Sequence, residues 1–164
     1  MTEVIAKKQM QDTLDESALF SFRIFFKPNQ NTFTVDLYQE EFDKVIELSA
    51  TYGGAIITVE GHSDPMEYLR KKKQGAQTVV LNRIKQAAKN LSYSRANAVR
   101  DEIIEYASNQ GITLDPNQFA TIGYGIIKPV HEVPKTEEQW LENMRVEFKI
   151  IQVEAESDVF VPLD

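Results

Sequence analysis

The sequence predicts an α/β (α+β) sandwich, one mixed β-sheet with helices packed against it. Three observations predict it. Short apolar or period-2 runs near residues 20–26, 55–60, 118–123 and 145–153 alternate with stretches of helical period. Capping residues and glycine or proline stops separate the two kinds of run. The chain has 164 residues, 42% of them hydrophobic and 10% aromatic, enough to bury the core of one domain.

Each element has its own warrant. Phe20, Phe22, Ile24 and Phe26 alternate with Ser21, Arg23 and Phe25, the signature of a half-buried strand. Lys27-Pro28-Asn29-Gln30-Asn31 ends it in a turn. A helix over about 37–52 follows, with Asp36 as N-cap, Glu40 and Glu41 in the first turn, and Phe42, Val45, Ile46 and Ser49 as its core face. Gly53-Gly54 supplies the stop. Residues 55–60 read as a central strand. Residues 65–90 are a basic insertion with Arg70, Lys71, Lys72, Lys73, Arg83, Lys85 and Lys89. Gly75 splits it, and 77–89 reads as a helix with Val80, Ile84 and Ala87 on one face. The next helix starts at Ser92 and runs to about Asn109, with Ala96, Val99, Ile103 and Tyr106 as its buried stripe and Gly111 beyond its end. A strand at about 118–123 leads into Gly123-Tyr124-Gly125 and a loop holding Pro129 and Pro134. A short acidic helix starts at Thr136. The last strand is Arg145 to Val153, with Val146, Phe148 and Ile150 on one face. The domain thus spans 19–153, between a polar N-terminal extension at 1–18 and an acidic tail at 154–164.

Composition excludes several functions. A net charge of −7 and a pI near 4.9 argue against nucleic acid, whose phosphates need a basic face. No apolar run is long enough to span a membrane. The first residues lack the apolar core of a signal peptide, so the chain reads as cytosolic or as a fragment lacking its export or anchor segment. With no cysteine there is no disulfide, thiolate metal site or cysteine nucleophile.

Two residues stand out as a binding pair. Asp64 follows a strand reading Ile-Ile-Thr-Val-Glu-Gly-His-Ser-Asp (56–64), and such strand ends line ligand crevices. Arg95 lies in Leu-Ser-Tyr-Ser-Arg-Ala-Asn-Ala-Val (91–99). With Ser92 as N-cap, Arg95 sits in a first helical turn, where unpaired amides and the dipole favour an anion. An aspartate and an arginine suit a zwitterion, an ammonium for one and a carboxylate for the other. From spacing alone, a surface salt bridge or two solvated charges stands ahead of this reading.

The motifs taken together reverse that order. Glu-Gly-His-Ser-Asp (60–64), Leu-Ser-Tyr-Ser-Arg-Ala-Asn-Ala-Val (91–99), Gly-Tyr-Gly-Ile-Ile-Lys-Pro (123–129) and Asn-Met-Arg-Val-Glu-Phe (143–148) occur in this order. The set resembles the OmpA C-terminal domain family, which includes the peptidoglycan-associated lipoprotein and the stator protein MotB. The resemblance covers about 20–151. It implies non-covalent binding of the peptidoglycan stem peptide, with Asp64 and Arg95 holding diaminopimelate. It places Arg145 in the same groove and Asn29 near the ligand; Ser63 and Ser92 are expected to support the pair. It implies a periplasmic, wall-anchoring role in a Gram-negative envelope; no cofactor and no metal are expected. It also leaves room for a homodimer, as in stators. The chain departs from the family at Ala88, where asparagine is usual, at Met144, which replaces an arginine, at Ile126, where an acidic residue is common, and in the long basic insertion.

Other readings have less behind them. His62, Ser63 and Asp64 are adjacent, but neighbours on a strand point to opposite faces and no nucleophile elbow is present, so a hydrolase is disfavoured. His62, Asp64 and His131 match no metal spacing, and His62 reads as a structural histidine. The rival within the same fold is a protein-interaction module without peptidoglycan affinity, meeting its partner through the basic stretch 70–89.

Overall fold

Side-chain alternation builds the sheet. The computed structural model describes residues 18, 20–27, 30–51 and 55–151. Strand β1 (Phe20–Phe25) points Phe22 and Ile24 into the core. A 3-10 turn (Val35–Tyr38) leads into helix α1 (Gln39–Thr51). Strand β2 (Ile56–Gly61) is followed by α2 (Met66–Lys73) and the long helix α3 (Thr78–Ser108). Strand β3 (Phe119–Gly123), helix α4 (Glu137–Asn143) and strand β4 (Arg145–Ile151) complete the order. The strands lie in the order β1-β4-β2-β3. β4 runs antiparallel to β1 and β2, and β2 runs parallel to β3, so the sheet is mixed and residues 55–60 are central as expected.

The core lies on one face of this sheet. Phe22, Ile24, Ile57, Val59, Phe148 and Ile150 meet Phe42, Val45 and Ile46 of α1 and Ala96, Val99 and Ile103 of α3. Tyr106, expected in the stripe, is only half-buried and its hydroxyl donates to Asp43 Oδ1 at 2.7 Å, while Ala107 is fully buried. Gly111, at φ +79°, ends α3 as expected. Thr136 caps α4, its hydroxyl accepting from the Gln139 amide at 3.2 Å.

The opposite face of the sheet carries charge. Arg23 of β1 registers with Glu147 of β4, and Glu147 registers with Glu60 of β2. Glu147 Oε1 accepts from Arg23 Nε and Arg145 Nε, each at 3.2 Å, and Lys149 Nζ reaches Glu60 Oε1 at 3.4 Å. The opposite charges of Arg23 and Glu147 stabilise their strand pairing, while Glu60 and Glu147, like charges in register, are bridged by Lys149, whose Nζ also lies 3.8 Å from Glu147 Oε2.

Two expectations are corrected. The helix over 77–89 and the helix from Ser92 are one helix, α3. Neither glycine nor proline interrupts Thr78–Ser108, so the periodicity simply continues. Ser92 is therefore mid-helix, its hydroxyl donating back to the Lys89 carbonyl at 2.9 Å, rather than an N-cap. Near Asp36, a 3-10 turn precedes α1, and Asp36 lies inside that turn rather than capping the helix. Gly53-Gly54, residues 1–17 of the N-terminal extension, the last two residues of the expected strand to Val153 and the acidic tail lie outside the described residues.

Candidate ligand-binding site

Close backbone approach sets where the site falls. A Cβ on Gly61 would collide with the Ser92 carbonyl, and one on Gly123 would lie 2.7 Å from the Lys89 carbonyl. The two glycines let α3 rest directly on the ends of β2 and β3. Ser92, fully buried, accepts from the Gly125 amide at 2.9 Å and ties the Gly-Tyr-Gly loop to the helix. Ser63 is anchored twice: its amide donates to Gly125 O at 2.8 Å, and its hydroxyl to Ala88 O at 3.1 Å.

Between β2, α2 and α3 lies an open cleft of about 440 Å³, bordered by Ser63, Asp64, Leu91, Arg95, Ile126 and Met144 among others. Asp64 and Arg95 thus share one cavity. They do not pair with each other. Asp64 Oδ2 accepts from the Met66 amide at 3.0 Å, and Oδ1 from Asn143 Nδ2 at 2.9 Å. Burial pushes the Asp64 carboxyl above its ordinary pKa, and the bonds from Asn143 and Met66 act against that rise. Arg95 Nε donates to Gln30 O at 2.8 Å and Nη2 to Lys27 O at 3.1 Å, while the guanidinium lies 5.2 Å from the Phe26 ring centre. Burial lowers its pKa to about 10, which leaves it charged at neutral pH. Arg95 is 1% exposed, so it forms cleft wall rather than a projecting arm.

The helix-start part of the expectation fails here. Arg95 stands more than four turns into α3, where amides are paired inside the helix and the terminal dipole does not act. Its charge is set by the guanidinium alone. Arg145 does not border the cleft. Its donors go to Glu147 Oε1 at 3.2 Å, Asn143 O at 3.2 Å and Lys128 O at 3.0 Å. Asn29 lies outside the described residues. Ala88 and Met144, two departures from the family pattern, both border the cleft and make it more apolar.

Asn143 was missed. It is fully buried, donates to Asp64 Oδ1 and to His131 O (3.0 Å), and accepts from the His131 amide at 2.9 Å. Its signal in the sequence is the Asn-Met-Arg-Val run, in which the arginine is the stronger ligand group. His62 is packed, stacked on Tyr124 at 5.2 Å between ring centres. Burial, helped by Arg145, lowers its pKa to about 3. A nitrogen of His62 and carboxylate oxygens of Glu60 and Glu147 lie within 4.8 Å of one another, a set a cation would find already neutralised by Arg23, Arg145 and Lys149. Among the described residues no helix is long and apolar enough to cross a membrane.

No protein-family model matches the chain, and no curated protein matches it by sequence. Solved structures do. The peptidoglycan-associated lipoprotein of Burkholderia pseudomallei aligns over 78% of this chain and 88% of its own, with 20% identity and a TM-score of 0.56. A periplasmic domain of Helicobacter pylori MotB aligns over 96% and 95%, with 16% identity and a TM-score of 0.59. The OmpA-like domain of FopA1 from Francisella tularensis aligns over 87% and 81%, with 16% identity and a TM-score of 0.54. The fold is that of the OmpA-like domains. On this OmpA-like frame, the cleft opens where β2 ends and α3 crosses it.

Proposed function

We propose that this OmpA-like domain binds the peptidoglycan stem peptide without covalent chemistry and anchors an envelope protein to the wall of a Gram-negative periplasm. One observation carries the reading: an aspartate and an arginine border the same cleft without neutralising each other. Both are held by neutral partners, so their charges are left for a ligand of matching zwitterionic form. The Asp64 carboxylate, fixed by Asn143 and Met66, takes the ammonium of a diaminopimelate unit. Arg95, preorganised by Phe26 and two carbonyls, takes its carboxylate. The similarity to a protein named peptidoglycan-associated lipoprotein supports the same ligand.

Magnitudes suit tethering. Charge-assisted hydrogen bonds contribute roughly 1.5–3 kcal/mol each. Two or three of them, less the cost of association, give on the order of micromolar to millimolar affinity. A polymer with many stems supplies avidity.

The test is retention on purified sacculi. Wild type is retained and released by soluble diaminopimelate, while Asp64→Ala and Arg95→Ala pass through with unchanged far-UV circular dichroism. Wild type that passes through, or variants retained as well as wild type, refutes the reading. A second reading, a protein-docking module, is favoured by the basic insertion and the apolar Ala88 and Met144 in the cleft. It predicts no retention on sacculi and salt-sensitive capture of an acidic protein.

A further inference from the structure

The cleft is longer than one amino acid requires. Its α3 wall runs from Val80 to Arg95 through Ile84, Ala87, Ala88 and Leu91. These recur at helical three- and four-residue spacing, so they form one stripe. From residue 80 to residue 95 the wall is roughly 22 Å long at the helical rise. An extended chain covers that length with about six or seven residues.

The outer half of this wall has no role in the core. No residue from 66 to 91 is buried, so α2 and the first turns of α3 form a partly exposed arm outside the hydrophobic core. Val80, on the cleft side, is 37% exposed. Glu67 of α2 and Arg83 of α3 border the cleft at this end, and both are exposed. The arm's charge is also distinct. Residues 65–90 hold seven basic side chains and one acidic, a net +6, whereas the rest of the described domain is acidic, with a net −4 over 20–64 and −3 over 91–151. An anionic ligand reaching out of the cleft is repelled by the domain body and attracted along the arm.

We propose that the groove holds an extended anionic peptide of several residues, with Arg83 taking a second carboxylate roughly 18 Å along the helix from Arg95. The inference rests on the peptide-binding reading above and narrows its ligand: a cross-linked or multi-residue stem is preferred to the lone diamino acid. Val80, Ile84 and Leu91 cover the apolar side chains between the two charged ends. Arg83 is a specificity residue, and the anchoring pair is untouched by its loss.

Calorimetric titration with two probes tests this: free diaminopimelate, and the cross-linked stem-peptide dimer released from digested wall. Wild type binds the dimer roughly three- to tenfold more tightly, the effect of about one partly exposed charge contact. Arg83→Ala removes that gain and leaves diaminopimelate affinity unchanged, Arg83→Lys restores part of it, and added salt shrinks it. Equal wild-type affinity for both probes, or a gain that survives in Arg83→Ala, overturns the inference while the anchoring pair stands. Wild type that binds neither probe overturns both.

Discussion

Replacing Asn143 by leucine tests how Asp64 is held. The two side chains are similar in volume, so the change deletes hydrogen bonds without opening a large cavity. Three bonds go: one to the Asp64 carboxylate at 2.9 Å, one to the His131 carbonyl at 3.0 Å, and one from the His131 amide at 2.9 Å. A bond to a charged group contributes roughly 1.5–3 kcal/mol and each neutral one about 0.5–1.5 kcal/mol. His131 is half-buried and water recovers part of its share, so the expected loss is about 2–4 kcal/mol at neutral pH. The pH dependence separates Asp64 from His131. The folded carboxyl already titrates above its ordinary value because of burial, and Asn143 is the largest influence pulling it back. For an acid raised on folding, stability is greatest below the unfolded pKa and declines as pH rises through the folded pKa. Removing Asn143 raises that folded value further. The variant's deficit, measured by urea denaturation, therefore shrinks as pH falls from neutral toward the carboxylate range. A deficit under about 1 kcal/mol, or one that does not change with pH, refutes the account.

Two further perturbations read other parts of the frame. His62→Phe tests the buried neutral histidine: its folded pKa is near 3 against an ordinary 6.5, so the unfolded chain takes up a proton first as pH falls. Wild type then loses about 2–3 kcal/mol between pH 6.5 and pH 4.5 that His62→Phe does not lose, and superimposable acid limbs in urea melts would show that His62 titrates normally. Gly61→Ala places a methyl against the Ser92 carbonyl and forces α3 off β2; thermal denaturation should show a loss of roughly 1–3 kcal/mol or more, and an unchanged midpoint would mean that the helix shifts at no cost.

The sheet was legible because its strands follow simple alternation. Phe22 and Ile24, Ile57 and Val59, and Val146, Phe148 and Ile150 all fall on the buried face. Thr136 was legible for the same reason, since an N-cap is a local device. The expected break in α3 rests on a single serine. Ser92 resembles a cap, but no helix breaker precedes it, and its hydroxyl has partners within its own helix and on Gly125. The pairing of Asp64 with Arg95 in one cleft drew on motif order, since neither residue's spacing specifies the other. The partners that hold the pair were harder to see. Lys27 and Gln30 act through backbone carbonyls, which any side chain can supply, so their identity carries no signal. Asn143 carried one, but a neutral amide beside an arginine is easily passed over.

Arg145 shows how far the site reaches behind its own surface. Sequence resemblance puts it at the ligand, yet its guanidinium joins Glu147, the Asn143 carbonyl and the Lys128 carbonyl. It is 4% exposed, and burial lowers its pKa while Glu147 opposes the fall. The contacts form a chain from Asp64 to Asn143, from Asn143 to Arg145, and from Arg145 through Glu147 to Arg23 on the edge strand. On the proposed reading Asp64 awaits a ligand, and such a carboxylate cannot be fixed by a neighbouring cation, because that cation would quench it. Here the nearest cation, Arg145, stands one layer back and donates to the Asn143 backbone carbonyl, while the neutral Asn143 side chain holds Asp64. The charged row on the far side of the sheet then has a reason to be there: it orients the residue that orients Asp64, while the cleft itself keeps its charge.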